Sequence, residues 1–388
     1  FTLQDILIRF NKKLGMNVLW QPGTDHAGIA TEIIVEKKLI SKTKKTKSDL
    51  GREKFLNQIW EWKEQSGNKI VDQLKKLGTA VDWSISKFTL DDECSDAVKE
   101  AFIQLYQEGY IYQDERLVNW DPKLQTAISD LEVNQKEVNG NLWFINYKIE
   151  GDDSFIEVAT TRPETMFGDV AIAVHPRNKT LKSYIGKKAI IPLTKRSIQI
   201  IADDYADPSK GTGAVKITPA HDFNDFLVAK KHNLNFINIF DKQAKLNSSV
   251  PEKLIGMDRY EARKFVIKVL KENGQLTKIN NNKMFTPVGE RTGVVIEPLL
   301  TKQWFLDSKK LCNEVLSSIK KKEIKFHPES WMNTFKHWIN NIEPWCISRQ
   351  IWWGHRIPIW YTDDGNKIVA KDFNHAKEIL KKKKLKVR

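Results

Sequence analysis

WFINYKI, Trp143–Ile149, places Trp143, Ile145, Tyr147 and Ile149 along one face of an extended chain. Alternation with period two marks a half-buried β-strand. Ile156 and Val158, VAIAV (Val170–Val174), AIIPL (Ala189–Leu193) and IQIIA (Ile198–Ala202) follow, separated by Gly, Pro and Asp turns. A β-rich module is therefore expected from about Asn139 to about Thr292. Helices dominate what precedes it. LDDECSDAVKEAFIQLYQEG (Leu90–Gly109) repeats Cys94, Val98, Phe102 and Leu105 at helical spacing, with Asp91 and Asp92 in an acidic first turn and Gly109 at the C′ position. This helix is expected to be amphipathic and core-facing. After the module the chain returns to helices, an aromatic-rich stretch and a lysine-rich helix. The simplest description is a β module inserted between two halves of something else.

The 388 residues suffice for two or three domains and a large core. No apolar run reaches the ~18 residues of a membrane span, and no secretory signal is visible. Cys94, Cys312 and Cys346 are far apart and never form CxxC, which argues against a disulfide framework or structural zinc and fits a reducing cytoplasm. With 63 Lys and Arg against 49 Asp and Glu, the formal charge is +14. Such a surplus suits a polyanionic partner, although lysine-rich drift in composition produces the same number. The runs KTKKTK (Lys42–Lys47) and KKKKLK (Lys381–Lys386) read as solvated faces.

Four stretches could carry chemistry. In HDFNDF (His221–Phe226), Asp222 and Asp225 stand three residues apart at the mouth of a helix, after the strand-like run Ala214–Ile217 that contains Lys216. They can be ordinary capping, or two acceptors converging with an ammonium on one face. In WQPGTDHAGIATE (Trp20–Glu32), Gly23 and Gly28 permit close backbone approach, and Asp25 beside His26 could receive an amino-acid ammonium. A Pro-Gly turn with an Asp cap has the same letters. ATTRPETMFGD (Ala159–Asp169) offers hydroxyls and an arginine at a strand exit, or a helix start with Pro163 at its first position. WCISRQIWWGHRIPIWY (Trp345–Tyr361) is aromatic enough for core, while a tryptophan beside Gly354 could also wall a small pocket.

Taken together and in order, PGTDHAGIATE, TTRPETMFGDVAIAVHP, GTGAVKITPAHDFNDF, EPLLTKQWF and WCISRQIWWGHRIPIWY resemble the valyl-tRNA synthetases over essentially the whole chain. GTDHAG is the discriminating motif, since the isoleucine and leucine relatives typically carry a tryptophan-containing variant there. The resemblance implies an α/β class I enzyme: a split Rossmann-type catalytic domain (residues 1–138 and 294–388) interrupted by a β-barrel-rich editing domain (139–293). It implies valine, ATP with Mg²⁺ and tRNA(Val) as substrates, a cytoplasmic monomer, no membrane partner and no resident metal in this chain.

By the same resemblance, Asp25 takes the valine ammonium, His26 supports it, and Trp353 limits the side-chain pocket. Thr160, Arg162 and Thr165 line an editing pocket with Lys216, Asp222 and Asp225. There Asp225 anchors the substrate ammonium, Asp222 reads the threonine hydroxyl, and Lys216 and Arg162 place the tRNA terminus or carbonyl. Such a pocket answers a physical need. An apolar site rejects a hydroxyl-bearing isostere only about a hundredfold, a limit for which the valine enzymes are themselves the standard example, so a second hydrolytic site must select the hydroxyl. The HIGH and KMSKS signatures are absent from the 388 residues. The chain is expected to be an internal piece of a longer ligase; a truncated trans-editing hydrolase or tRNA-binding protein is the alternative from another class.

Overall fold

The structure, a computed structural model, describes residues 1–382, so that only Lys381 and Lys382 of the terminal lysine run fall within it. The chain parts into two compact units, one formed by Phe1–Tyr112, Leu306–Pro344 and Gln350 onward, the other by Gln113–Phe305 with Trp345–Arg349.

The first unit is helix-rich, with α1 (Thr2–Lys13), α2 (Ile29–Thr43), α3 (Lys47–Leu50), α4 (Arg52–Lys76) and α5 (Asp92–Gln107). Gly28, at φ 94°, takes the backbone turn that lets α2 start directly after the TDHA stretch. A two-residue strand β1 (Gly23–Thr24) pairs parallel with β2 (Lys87–Phe88), and the crossover that a parallel pair requires contains α2 to α4. Val35 and Leu39 of α2, Phe55 and Ile59 of α4, Phe88 and Trp353 form one core cluster. Each helical pair is spaced by four residues and so shares a face. Helices Ser308–Lys320, Trp331–Asn340 and Phe373–Lys382 belong to the later segments.

Helix α5 begins after Asp91 and ends into Gly109 at φ 75°, as its spacing predicts. Its burial differs from expectation: Phe102 and Ile103 are buried, whereas Val98 is 43% exposed. Its first turns, with Glu93, Cys94 and Ala97, line an open cleft of about 500 Å³ opposite Gln21, Pro22 and Lys87.

The second unit is built on β-structure. Its strands are β3 (Ile111–Asp121), β4 (Thr126–Ile128), β5 (Val133–Ile149), β6 (Phe155–Thr160), β7 (Ala171–Val174), β8 (Lys188–Ile190), β9 (Ser197–Ala202), β10 (Ala214–Ile217), β11 (Leu276–Gly289), β12 (Glu297–Leu306) and β13 (Trp345–Cys346). Helices α6 (Phe223–Lys231) and α7 (Arg259–Glu272) complete it. Seven strands form one sheet in the order β10-β7-β9-β8-β5-β11, with β6 also paired to β5. All its pairings are antiparallel except β7 with β9. A second sheet, ordered β13-β12-β3-β4, lies outside the alternating stretch that the sequence singles out. Its strands carry no clean period of two: IYQDERLVNWD in β3 interrupts its apolar positions with charges.

Ile145, Tyr147 and Ile149 of β5 are fully buried in the main core with Ile156, Val158, Met166, Ile172 and Val174. Helix α7 closes that core with Ala262, Val266 and Leu270, spaced by four residues. Full burial of each large aliphatic side chain contributes about 1.5–3 kcal/mol before entropy is counted. Tyr147 is the exception that matters, because its hydroxyl is carried into that core and needs a partner there. Among the described residues no helix is long and apolar enough to cross a membrane.

Candidate functional site

Among the described residues, strand β10 pairs with β7 at the edge of the main sheet, with Lys216 opposite Ile172. Burial of a lysine demands partners for its ammonium. Lys216 Nζ has three: it donates to Thr165 Oγ1 at 3.0 Å, to Asp169 Oδ1 at 3.0 Å, and to the Thr218 hydroxyl. The Thr218 hydroxyl in turn donates to Asp169 Oδ1 at 2.6 Å, and Tyr147 donates to Asp169 Oδ2 at 2.7 Å. Asp169 is fully buried, and burial raises its pKa against the opposing pull of Lys216, Thr218 and Tyr147.

The peptide after β10 turns into α6 through His221 and Asp222. Asp222 is the N-cap, its Oδ1 accepting from Asn224 N at 2.8 Å and Asp225 N at 3.1 Å. Asp225 points inward, is 6% exposed, and accepts from Thr218 N at 2.8 Å. Burial, reinforced by the neighbouring Asp222 charge, pushes its carboxyl up to about 7. Tyr205 faces the same two carboxylates, and burial together with their charge holds its phenol above the ordinary range. His221 is buried and neutral, pushed down to about 3 by burial and by the Arg162 charge. Its Nε2 accepts from Ile239 N at 3.0 Å, which leaves the proton on Nδ1, directed at Pro298 O 3.3 Å away.

Pro163 occupies the first position of a short 3₁₀ helix, Pro163–Gly168, with Arg162 before it, so the helix-start reading of TTRPET is correct. That turn brings its polar side chains inward. Thr160 Oγ1 accepts from Arg162 N at 3.1 Å, and Thr165 Oγ1 donates to Arg162 O at 2.8 Å. The Arg162 guanidinium pairs with Glu297, donates to His221 O at 3.1 Å, and lies 3.7 Å from Glu164. Burial opposes its charge, but Glu297 and Glu164 outweigh that and hold its pKa above the usual value. Glu297 also accepts from Arg259 at 2.7 Å, and Arg263 grips both oxygens of Glu164 at 2.6 and 2.7 Å.

Six residues singled out in the sequence, Thr160, Arg162, Thr165, Lys216, Asp222 and Asp225, are thus joined into one continuous hydrogen-bonded cluster through Thr218. Sequence reasoning missed the residues that hold it together: Tyr147, Glu164, Asp169, Thr218, His221, Arg259 and Glu297. Glu164 and Asp169 lie inside TTRPETMFGD, and Glu297 opens EPLLTKQWF, but nothing in their spacing marks them as buried. Chemically, the cluster is rich in acceptors, from buried Asp225 out to exposed Asp222. The carboxylates of Asp222 and Asp225 and the hydroxyl oxygens of Thr160 and Thr165 suit a ligand that brings donors, such as an ammonium with a hydroxyl beside it.

In the first unit, Asp25 follows β1 at its carboxyl end, with Oδ1 accepting from Ala27 N and from Thr89 Oγ1, both at 3.2 Å. The carbonyl of His26 accepts from Thr31 Oγ1 at 2.7 Å and from the Trp353 indole at 2.6 Å, so His26 and Trp353 are joined directly. His26 Nε2 is buried without a hydrogen-bond partner among the described residues, facing the bare Cα of Gly67. Trp353 is 2% exposed, stacked near Phe88 and edge-on to Trp60. Glu32, also missed, fixes this corner: its Oε2 accepts from the backbone N–H of Trp352 at 2.7 Å and of Trp353 at 2.8 Å, while Oε1 pairs with Lys47 at 2.6 Å. Among the described residues no group of three or more His, Cys, Asp or Glu is placed to hold a metal ion.

Comparison with known proteins gives these two clusters a context. The family model described as tRNA synthetases class I (I, L, M and V) matches residues 1–387. The valine--tRNA ligase of Pelagibacter ubique (strain HTCC1062) is 51% identical over 381 residues, covering 98% of this chain and 43% of that protein. That of Rhodopseudomonas palustris (strain ATCC BAA-98 / CGA009) is 51% identical over 397 residues, 97% of this chain and 42% of the relative. That of Francisella tularensis subsp. tularensis (strain SCHU S4 / Schu 4) is 50% identical over 371 residues, 96% and 40% respectively. The chain therefore spans between 40 and 43% of the length of these relatives. On a match that runs through nearly every residue, the chain belongs to the class I tRNA synthetases, with valine--tRNA ligases among its similar relatives.

Proposed function

We propose that this chain is the amino-acid-selecting and proofreading portion of a valine--tRNA ligase, which activates valine with ATP and Mg²⁺, transfers it to tRNA(Val), and hydrolyses mischarged Thr-tRNA(Val). Residues 1–138 and 294–388 are the two parts of a split Rossmann-type catalytic domain, and 139–293 are its β-barrel-rich editing domain. The enzyme works as a monomer in the cytoplasm. The observation that carries the reading is the buried acceptor cluster around Asp225, a residue 6% exposed whose carboxylate has no salt-bridge partner among the described residues. Identity near one half to valine--tRNA ligases supports it.

In the synthetic site, Asp25 takes the valine ammonium, while Trp353, held by Glu32 and the His26 carbonyl, keeps the side-chain pocket small. In the editing site, Asp225 takes the ammonium of the misacylated residue. Asp222 uses Oδ1 for its cap, and its Oδ2 reads the threonine hydroxyl. Valine brings no hydroxyl, so its binding leaves that acceptor dehydrated and unpaired, a penalty of about 1–3 kcal/mol. The reaction is ester hydrolysis: a water oxygen bonds to the aminoacyl carbonyl carbon, the bond to the ribose oxygen breaks, and the water proton passes to that oxygen. Arg162 places the tRNA terminus. A positioned water suffices for so activated an ester.

The test of the synthetic assignment is which amino acid drives ATP–pyrophosphate exchange by the polypeptide that carries this chain. Valine is expected to do so best, with threonine activated weakly. Exchange driven better by isoleucine or leucine contradicts it.

A further inference from the structure

The Lys216 ammonium has three N–H donors and three acceptors within this unit, Thr165, Asp169 and Thr218. Its side chain is 9% exposed and its charge is matched by Asp169, which is buried completely. Asp169 itself receives Lys216 and Thr218 on one oxygen and Tyr147 on the other. From the ester's side, Lys216 has no donor left to offer without breaking one of these bonds.

We propose that Asp169 is a positioning residue of the editing pocket: it holds Lys216 and Thr218, so that Lys216 orders the pocket hydroxyls and does not itself contact the ester. The inference rests on the editing function proposed above and replaces the role that the resemblance implies for Lys216, that of placing the tRNA terminus or carbonyl. The consequence for specificity follows from where the protons go. Thr165 donates to Arg162 O and Thr218 donates to Asp169, each while accepting a hydrogen bond from Lys216. With both hydroxyl protons directed into the protein, these two hydroxyls have only lone pairs left to offer a ligand. Thr218 N, on the same residue, is the donor that aims Asp225. Asp169 thus fixes an acceptor-only surface that matches an ammonium and a hydroxyl, and does so from beyond contact with either. The charged groups facing Asp225 are Asp222, Lys216 and Asp169, with the phenol of Tyr205 beside it. Those facing Asp169 are Lys216, the phenol of Tyr147 and Arg196, whose guanidinium donates to the Asp169 carbonyl.

The test uses Asp169→Asn and Tyr147→Phe in the polypeptide that carries this chain. Asp169→Asn is expected to lower kcat for Thr-tRNA(Val) deacylation roughly a hundredfold, the scale of misplacing a reacting group by about 1 Å, with KM little changed. The Asp225 carboxyl, followed by carbon NMR, titrates at lower pH in that variant, because a nearby like charge is gone. If Asp169→Asn does not fold, Tyr147→Phe removes one donor only and is expected to lower kcat severalfold while leaving KM unchanged. Wild-type deacylation rates in a folded Asp169→Asn protein, or an Asp225 midpoint that does not move, overturn the proposal. A wild-type protein that never deacylates Thr-tRNA(Val) sinks the editing function instead, and the movement of the Asp225 midpoint then decides the Asp169 inference by itself.

Discussion

The Oδ1 of Asp222 accepts the backbone N–H of Asp225 at 3.1 Å, so one carboxylate builds the helix start on which the other stands. Capping and ligand recognition, which compete as readings of HDFNDF, are therefore compatible in one motif. Asp222 caps with Oδ1 at the surface, and Asp225 is carried inward by the first turn.

That division of labour is separable by mutation. Asp222→Asn keeps a capping oxygen and is expected to leave stability within about 0.5 kcal/mol while reducing discrimination between Thr-tRNA(Val) and Val-tRNA(Val). Asp222→Ala loses both, with an added destabilisation of about 0.5–2 kcal/mol. Urea denaturation beside deacylation assays checks it; an Asn variant with full discrimination would show that the residue only caps.

Asp225 carries a stability cost that the proposed ammonium site would offset. Its carboxyl is raised to about 7 in the folded chain from an ordinary 3.8, so between these values the native state binds more protons than the unfolded one. Stability from this group is therefore greatest below about pH 4 and falls as the pH rises through about 7. Asp225→Asn, which still accepts from Thr218 N, is expected to raise the Tm at pH 8, by roughly 2–4 °C per kcal/mol relieved, and to leave it unchanged near pH 4. Differential scanning calorimetry at the two values is the check. An equal effect at both shows that Asp225 is not ionising against its surroundings.

Glu32 is the buried anchor of the Trp352–Trp353 backbone, and Lys47, its partner, is 20% exposed. Glu32→Ala strands two buried N–H groups and is expected to destabilise the helix-rich unit by about 3 kcal/mol, the lower end for a broken buried pair because Lys47 can reach water. In pyrophosphate exchange the KM for valine is expected to rise with it, since the indole proposed to bound the pocket loses its backbone support. A KM that stays put while stability falls would separate Trp353 from valine binding.

Gly168 is packed so closely that an added Cβ would lie 3.1 Å from Ile237 O and 3.1 Å from Thr218 Cγ2. Gly168→Ala is expected to destabilise by about 1–3 kcal/mol and to lower deacylation by displacing Thr218. By contrast, a Cβ at Gly67 would meet His26 Nε2 at 3.4 Å, ordinary contact, so Gly67→Ala should be tolerated. Thermal melts of the two variants compare them directly.

Much of this architecture was legible from local pattern. The alternation in WFINYKI marks β5, Pro163 marks the 3₁₀ turn, Asp222 marks the start of α6, and Gly109 ends α5. Those signals are local, set by backbone geometry within a few residues. The burial of Glu297, Glu164 and Asp169 was not legible, because it depends on partners such as Arg162, Arg263 and Tyr147 that are distant in the chain. The sheet of β3, β4, β12 and β13 escaped for the same reason: β12 gains its neighbours β3 and β13 from separate parts of the chain. Val98 erred the other way, since helical spacing says which residues share a face and not how far along the helix that face is covered.

The cluster around Asp225 is proposed to hydrolyse threonine esters and to spare valine esters. This is tested most directly by presenting the polypeptide that carries this chain with Thr-tRNA(Val) and Val-tRNA(Val) separately, and following deacylation. Rapid loss of the threonyl ester, persistence of the valyl ester, and no threonyl hydrolysis above background in Asp225→Asn are expected. Equal rates on both esters, or full activity in that variant, would contradict it.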